Sequence, residues 1–107
     1  MKAAILSFTA NGRKMAGKVR KALSSEDWLV AENVKCKEEA DSYEGSLKEW
    51  TEEHWKASDV LIYVGAAGIA VRAVASFVVS KKEDPAVRVF FHGILYRLII
   101  TVLSILY

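Results

Sequence analysis

The chain is 107 residues long, which suits one small domain with a single core of modest size. Apolar residues make up 52% and charged residues 26% of it, and that balance excludes a disordered chain. A net charge of +2, with cations and acids interleaved, argues against a nucleic-acid partner. The lone Cys36 excludes an intrachain disulfide framework and gives no metal cluster.

The N-terminus reads MKAAILSF. Its apolar run is too short for a secretory signal and predicts a first strand over residues 3–8. Thr9-Ala10-Asn11-Gly12 reads as a polar turn. A first helix is predicted over 13–23, with Met15, Val19, Ala22 and Leu23 as its buried stripe and Arg13, Lys14, Lys18, Arg20 and Lys21 mostly outside it. Ser24 to Asp27 breaks that helix, and residues 28–34 are apolar and β-branched enough for a second strand.

Residues 35–45 are charged and irregular, a loop. Ser46 is placed to cap a helix over 47–57, and Glu49 three residues on completes a capping box. Leu47, Trp50 and His54 share one side of it, with Trp55 nearby. Residues 60–64, read VLIYV, form the kind of run that is buried on both faces of a parallel sheet. Gly65-Ala66-Ala67-Gly68 follows as a turn poor in side chains, and apolar residues from Ile69 to Val79 keep a helical spacing. Residues 81–85 read as a turn, and 87–91 as a further strand.

Strands alternating with helices predict an α/β fold. The expected form is a small open parallel sheet with helices on both faces, a three-layer Rossmann or flavodoxin-like arrangement. Right-handed crossovers put the Ser7–Gly12 and Gly65–Gly68 turns on one edge, at the strand C-termini. Ligands bind at that edge in open α/β sheets. Backbone N–H groups at a helix start favour phosphate or carboxylate, and Arg72 adds a forked donor. The candidate binding set is therefore Thr9, Asn11, Gly12, Gly65, Ala66, Ala67, Gly68 and Arg72. The simpler alternative is that the glycines only permit tight turns and Arg72 is solvated.

Other constellations are weaker. Ser7 to Gly12 resembles the phosphate loop of flavodoxins, which would imply an FMN cofactor. A flavin ring also wants aromatic neighbours, for which Trp28, Tyr43, Trp50 and Trp55 are the candidates. Cys36 lies between Lys35 and Lys37, which would lower its pKa, although a lone loop cysteine is usually incidental. His54 reads as a partly buried helix residue, and His92 has no partner at a useful spacing. Glu38-Glu39 and Glu52-Glu53 read as solvated faces. No catalytic residue is assigned, and no paired metal ligands occur.

Residues 47–87, LKEWTEEHWKASDVLIYVGAAGIAVRAVASFVVSKKEDPAV, resemble the N-terminal domain of the cobalt-precorrin-5A hydrolase family, the CbiG-type proteins of anaerobic cobalamin biosynthesis. The opening KAAILSFTANGRKMAGKV is similar to the family's start. The resemblance covers residues 1–87, and 88–107 form a divergent apolar tail. Where family members continue into Ser-Leu-Leu-Ser-Gly-His, this chain reads Ile99-Ile100-Thr101-Val102, as a frameshifted or truncated continuation would. The tail is too short and too charged for a membrane span and is expected to pack as a strand or helix.

The resemblance implies a cobalt-corrinoid substrate rich in carboxylates, with the cobalt carried by the substrate and no cofactor of the protein's own. It also implies the family's hydrolysis, opening of the ring-A δ-lactone with release of acetaldehyde. This chain alone is expected to be inactive. A homo-oligomer, or a partner carrying the missing domains, is the expected means of completion. The single cysteine and the missing signal suit the cytoplasm.

Overall fold

The computed structural model describes residues 1–65, 67–77, 85–91 and 94–97. In chain order these give β1 Lys2–Ser7, α1 Ala10–Ser25, β2 Leu29–Val34, α2 Leu47–Trp55, β3 Val60–Val64, α3 Ala67–Val74, β4 Ala86–Phe91 and β5 Ile94–Arg97. The strands lie in the order β2-β1-β3-β4-β5. The first four are parallel, and β5 adds an antiparallel edge to β4. The expected α/β fold with an open parallel sheet is what the chain adopts.

The chain leaves β1 for β2 in one direction and returns past β1 to β3 in the other. With right-handed crossovers, that reversal sends α1 to one face and α2 and α3 to the opposite face. Side chains along β1 and β3 alternate accordingly. Ala4, Leu6, Leu61 and Tyr63 face Trp50, Trp55, Ala70, Ala73 and Val74. Ile5, Ile62 and Val64 face Ala16, with Met15, Val19 and Leu23 packed around them. Because both strand faces are buried, VLIYV is continuously apolar rather than alternating. Ser7 pairs with Val34 on one side and Val64 on the other, so the first three strands end level.

Local boundaries differ from the sequence reading in ways that have physical causes. Helix α1 starts at Ala10, three residues before the predicted position, because Thr9 is extended and caps it. Its oxygen accepts the Gly12 N–H at 2.9 Å. The buried stripe holds Ala16, and Ala22 is exposed, because a 3.6-residue period links Gly12, Ala16, Val19 and Leu23 along one face. Helix α2 carries the capping box, with Ser46 accepting from Glu49 N–H and Glu49 reaching back to Ser46 N–H, and it ends at Trp55. Helix α3 begins inside the predicted turn, at Ala67, and ends at Val74.

Strand β4 crosses residues 87 and 88, the expected boundary between domain and tail. Residues 81–84 of the predicted 81–85 turn, residues 78–80 at the end of the predicted helix, His92 and the Ile99–Val102 stretch lie outside the described residues. No helix among those described is long and apolar enough to cross a membrane.

Candidate functional site

Strands β1 and β3 are neighbours at the point where the winding direction reverses, and their C-terminal ends carry the two predicted loops. At such a reversal the adjoining connections leave toward opposite faces, which is why ligands of α/β sheets gather there. The two corners touch. A side chain added at Gly12 would come within 3.0 Å of Thr9 Oγ1 and 3.4 Å of the Val64 carbonyl oxygen. One added at Gly65 would meet the Phe8 ring at 3.0 Å. Both glycines are therefore small because backbone and ring approach them from the other corner.

The α1 corner is organised by Thr9. Its side chain takes the Gly12 N–H, and its carbonyl accepts Arg13 N–H at 2.8 Å. Ala10 and Asn11 N–H have no acceptor within the helix, by helix geometry. Thr9 and Asn11 are exposed, whereas Ser7 is fully buried below them. The α3 corner begins with half-buried Gly65, and Ala67 and Gly68 form the first turn of α3. Ala66 lies outside the described residues. Arg72 is exposed and sits in the last turn of α3, about 7.5 Å along the axis from Ala67. The structure thus brings Thr9, Gly12 and Gly65 into one neighbourhood, with Arg72 further along α3.

A residue outside the predicted set also stands there. Arg13, in the first turn of α1, donates from Nη1 and Nη2 to Asp41 at 2.8 and 2.6 Å, and from Nη1 to Glu39 at 2.9 Å. Both carboxylates come from the 35–45 loop, and the bond from Arg13 holds that of Asp41 below its usual pKa. Glu39 is thus engaged and not simply solvated. A cavity of about 160 Å³ opens beside the pair, lined by Arg13, Glu32, Asn33, Val34 and Asp41. Sequence offered no signal for this pairing except a run of acids in a loop.

Cys36 departs from its expected chemistry. Its thiol donates to Glu38 Oε2 at 2.9 Å, and that bond raises the thiol pKa. Lys35 is turned away, donating from Nζ to the Gly45 carbonyl at 2.7 Å. The neighbouring lysines therefore do not activate it. His54 is half-buried against Trp50, with ring centroids 4.7 Å apart, and burial lowers its pKa. It is a packed helix residue, in agreement with the sequence reading.

The aromatic candidates for a flavin sandwich are dispersed. Trp50 and Trp55 are buried in the core, and Trp28 precedes β2 at the opposite end of the sheet. Tyr43 remains near the C-terminal edge, its hydroxyl donating to Glu53 at 3.0 Å. Among the described residues no group of His, Cys, Asp and Glu is arranged to hold a metal ion.

Comparison with known proteins identifies the family and the fold. The family model described as cobalamin synthesis G N-terminal matches residues 49–104, just over half the chain. That span begins in α2 and extends past β5. A solved crystal structure, of a cobalamin biosynthesis protein G homolog from Sulfolobus solfataricus, is similar with a TM-score of 0.72 at 22% identity. The likeness covers 97% of this chain and 33% of that one. This chain therefore spans about a third of that protein's length, and at this identity what the two share is the fold. No curated protein matches the chain.

Proposed function

This chain belongs to the cobalamin synthesis G N-terminal family, and we propose that its part in cobalamin biosynthesis is to hold a carboxylate-rich cobalt-corrinoid intermediate. The observation that carries the reading is the contact between the two helix-leading corners at the β1/β3 reversal. Two helix starts side by side present outward N–H groups with partial positive charge. Arg72, further along α3, supplies a forked donor of the shape that carboxylates accept. A macrocycle bearing several carboxylates matches such a divided anion site, whereas a single small anion would use one corner only.

On this reading the ring-A δ-lactone opening, with release of acetaldehyde, belongs to a longer protein or to a partner that supplies the remaining parts. The chain by itself binds and positions, and does so in the cytoplasm. The corrinoid brings the cobalt, and the protein needs no metal or cofactor of its own.

Titration with cobyrinic acid, a cobalt corrin with free carboxylates, followed by visible absorbance, tests the reading. Saturable binding is expected, weakened about tenfold in Arg72→Ala through loss of a charge-assisted hydrogen bond. Absence of saturable binding removes the proposal. Unchanged affinity in Arg72→Ala removes Arg72 from the site.

The β2-β1-β3-β4 order is also that of flavodoxin-like domains, which bind FMN at the same reversal. Quenching of FMN fluorescence by the protein, without a response to cobyrinic acid, would favour that second reading.

A further inference from the structure

The loop between β2 and α2 is fastened in two different ways. Its neck is held by backbone and core. Tyr43 N–H donates to the Val34 carbonyl at 2.7 Å, and Lys35 N–H to the Ser7 carbonyl at 2.8 Å. The Tyr43 ring packs against the larger core cluster, over a glycine at which a Cβ would lie 2.6 Å from it. Within the loop, Cys36 N–H donates to Ser42 Oγ at 3.0 Å, and Glu39 N–H to the Cys36 carbonyl at 3.0 Å. The loop therefore keeps its own shape, as compact surface loops with close ends do.

The tip is held otherwise. Among the described residues, its side-chain bonds to the rest of the domain are those of Glu39 and Asp41 with Arg13. Side-chain exposure is 39% for Arg13 and 63% for Asp41, so water and salt reach the pair and weaken it. Arg13 N–H is bonded to Thr9, the cap residue of the candidate site. The fastening of the tip thus stands on the first turn of the helix whose start would meet a ligand.

We propose that residues 37–42 form a lid hinged at Lys35 and Tyr43 and latched to α1 by Arg13, which an incoming carboxylate opens by replacing Asp41 and Glu39. The fork that Asp41 now occupies with both oxygens is the geometry a ligand carboxylate would take. Opening leaves the neck bonds in place, whereas the loop's internal bonds, Glu39 N–H to the Cys36 carbonyl and Ser42 N–H to the Glu39 carbonyl, lose the support of the latch and break more often. The inference takes its purpose from the proposed binding edge, but its test does not depend on the corrinoid.

Amide hydrogen exchange on the whole chain reads the latch directly. In Arg13→Gln the amides of Glu39 and Ser42, which are bonded inside the loop, are expected to exchange about tenfold faster, while Lys35 and Tyr43 keep their protection. Asp41→Asn releases the same latch from the loop side and covers the case in which the arginine variant folds poorly. Tricarballylate, a small tricarboxylate, should speed tip exchange in the unmodified protein beyond the effect of sodium chloride at equal ionic strength. It should have no such effect in Arg13→Gln.

Unchanged tip exchange in both variants overturns the proposal. So does loss of protection at Lys35 and Tyr43 along with the tip, since the pair would then be a brace for the whole loop. A tricarballylate effect no larger than that of salt overturns the carboxylate trigger. A tip freed by Arg13→Gln in a protein that takes up no cobyrinic acid would keep the lid and discard the corrinoid.

Discussion

On one face of the sheet, α2 and α3 bury Trp50, Trp55 and Tyr63 among aliphatic neighbours. On the other, α1 buries Ala16 and leaves Met15, Val19 and Leu23 partly covered. The first face also satisfies its polar atoms inside the core. Trp50 donates to Asn33 Oδ1 at 3.0 Å, and Thr51 Oγ1 donates to the Leu47 carbonyl at 2.9 Å. The one Thr51 hydroxyl proton is thereby used, so the Tyr63 hydroxyl is the donor in their 2.8 Å contact. The α1 face closes its rim instead with Arg20 to Glu32 and Arg13 to Glu39 and Asp41, all partly exposed. Buried aromatic packing fixes a helix in one place, whereas exposed ion pairs exchange partners at small cost. The two faces divide the work: one anchors the fold by buried packing, and the other is closed by exposed ion pairs that can loosen.

Replacing Trp50 by alanine should have the largest effect, a loss of about 3–5 kcal/mol in urea unfolding. Met15→Ala on the α1 face should lose about 1–2 kcal/mol in the same measurement, less than the ~2–5 of a fully buried site because Met15 is only half-buried. Equal losses would erase the distinction between the faces.

Tyr63 gives the comparison a pH dependence. Burial pushes its pKa up to about 12, against ~10 in the unfolded chain. Between those values the folded state holds a proton that the unfolded state has released, so stability falls as pH rises. The full contribution is present below pH ~10, and a loss of up to about 3 kcal/mol accumulates toward pH 12. Tyr63→Phe should flatten that slope, and an unchanged alkaline slope in this variant would assign the effect elsewhere.

Gly17 lies within α1, and a Cβ added there would meet nothing within 4 Å. Gly17→Ala should therefore stabilise the protein by about 1 kcal/mol through helix propensity alone, seen as a raised urea midpoint. A decrease would show that the α1 face is packed more tightly than its contacts indicate. The smallest expected change belongs to Arg13→Gln, whose urea midpoint should stay nearly where it is despite the freed loop tip. A large drop would make the α1 rim as structural as the opposite core.

Much of this architecture is legible along the chain. The continuous apolar run at Val60 to Val64 announces a strand covered on both faces, and Ser46 with Glu49 marks a helix start by local hydrogen bonding alone. The glycines at 65 and 68 announce a strand-to-helix corner. Local chemistry misplaces the start of α1, because Asn11-Gly12 has the composition of a turn. The glycine is there for another reason, the approach of Thr9 and Val64, which no window of neighbouring residues contains.

The periodicity of apolar residues and the caps act over a few residues, so the sequence alone determined the elements from β1 to β4, their order and the α/β class, and left β5 open between strand and helix. Ion pairing and close approach act through space between residues far apart in the chain, and only the tertiary structure decided those. It set Arg13 against acids 26 and 28 positions away. It turned Cys36 toward Glu38 rather than toward its lysine neighbours, and it brought Gly65 against Phe8, so that the two corners touch.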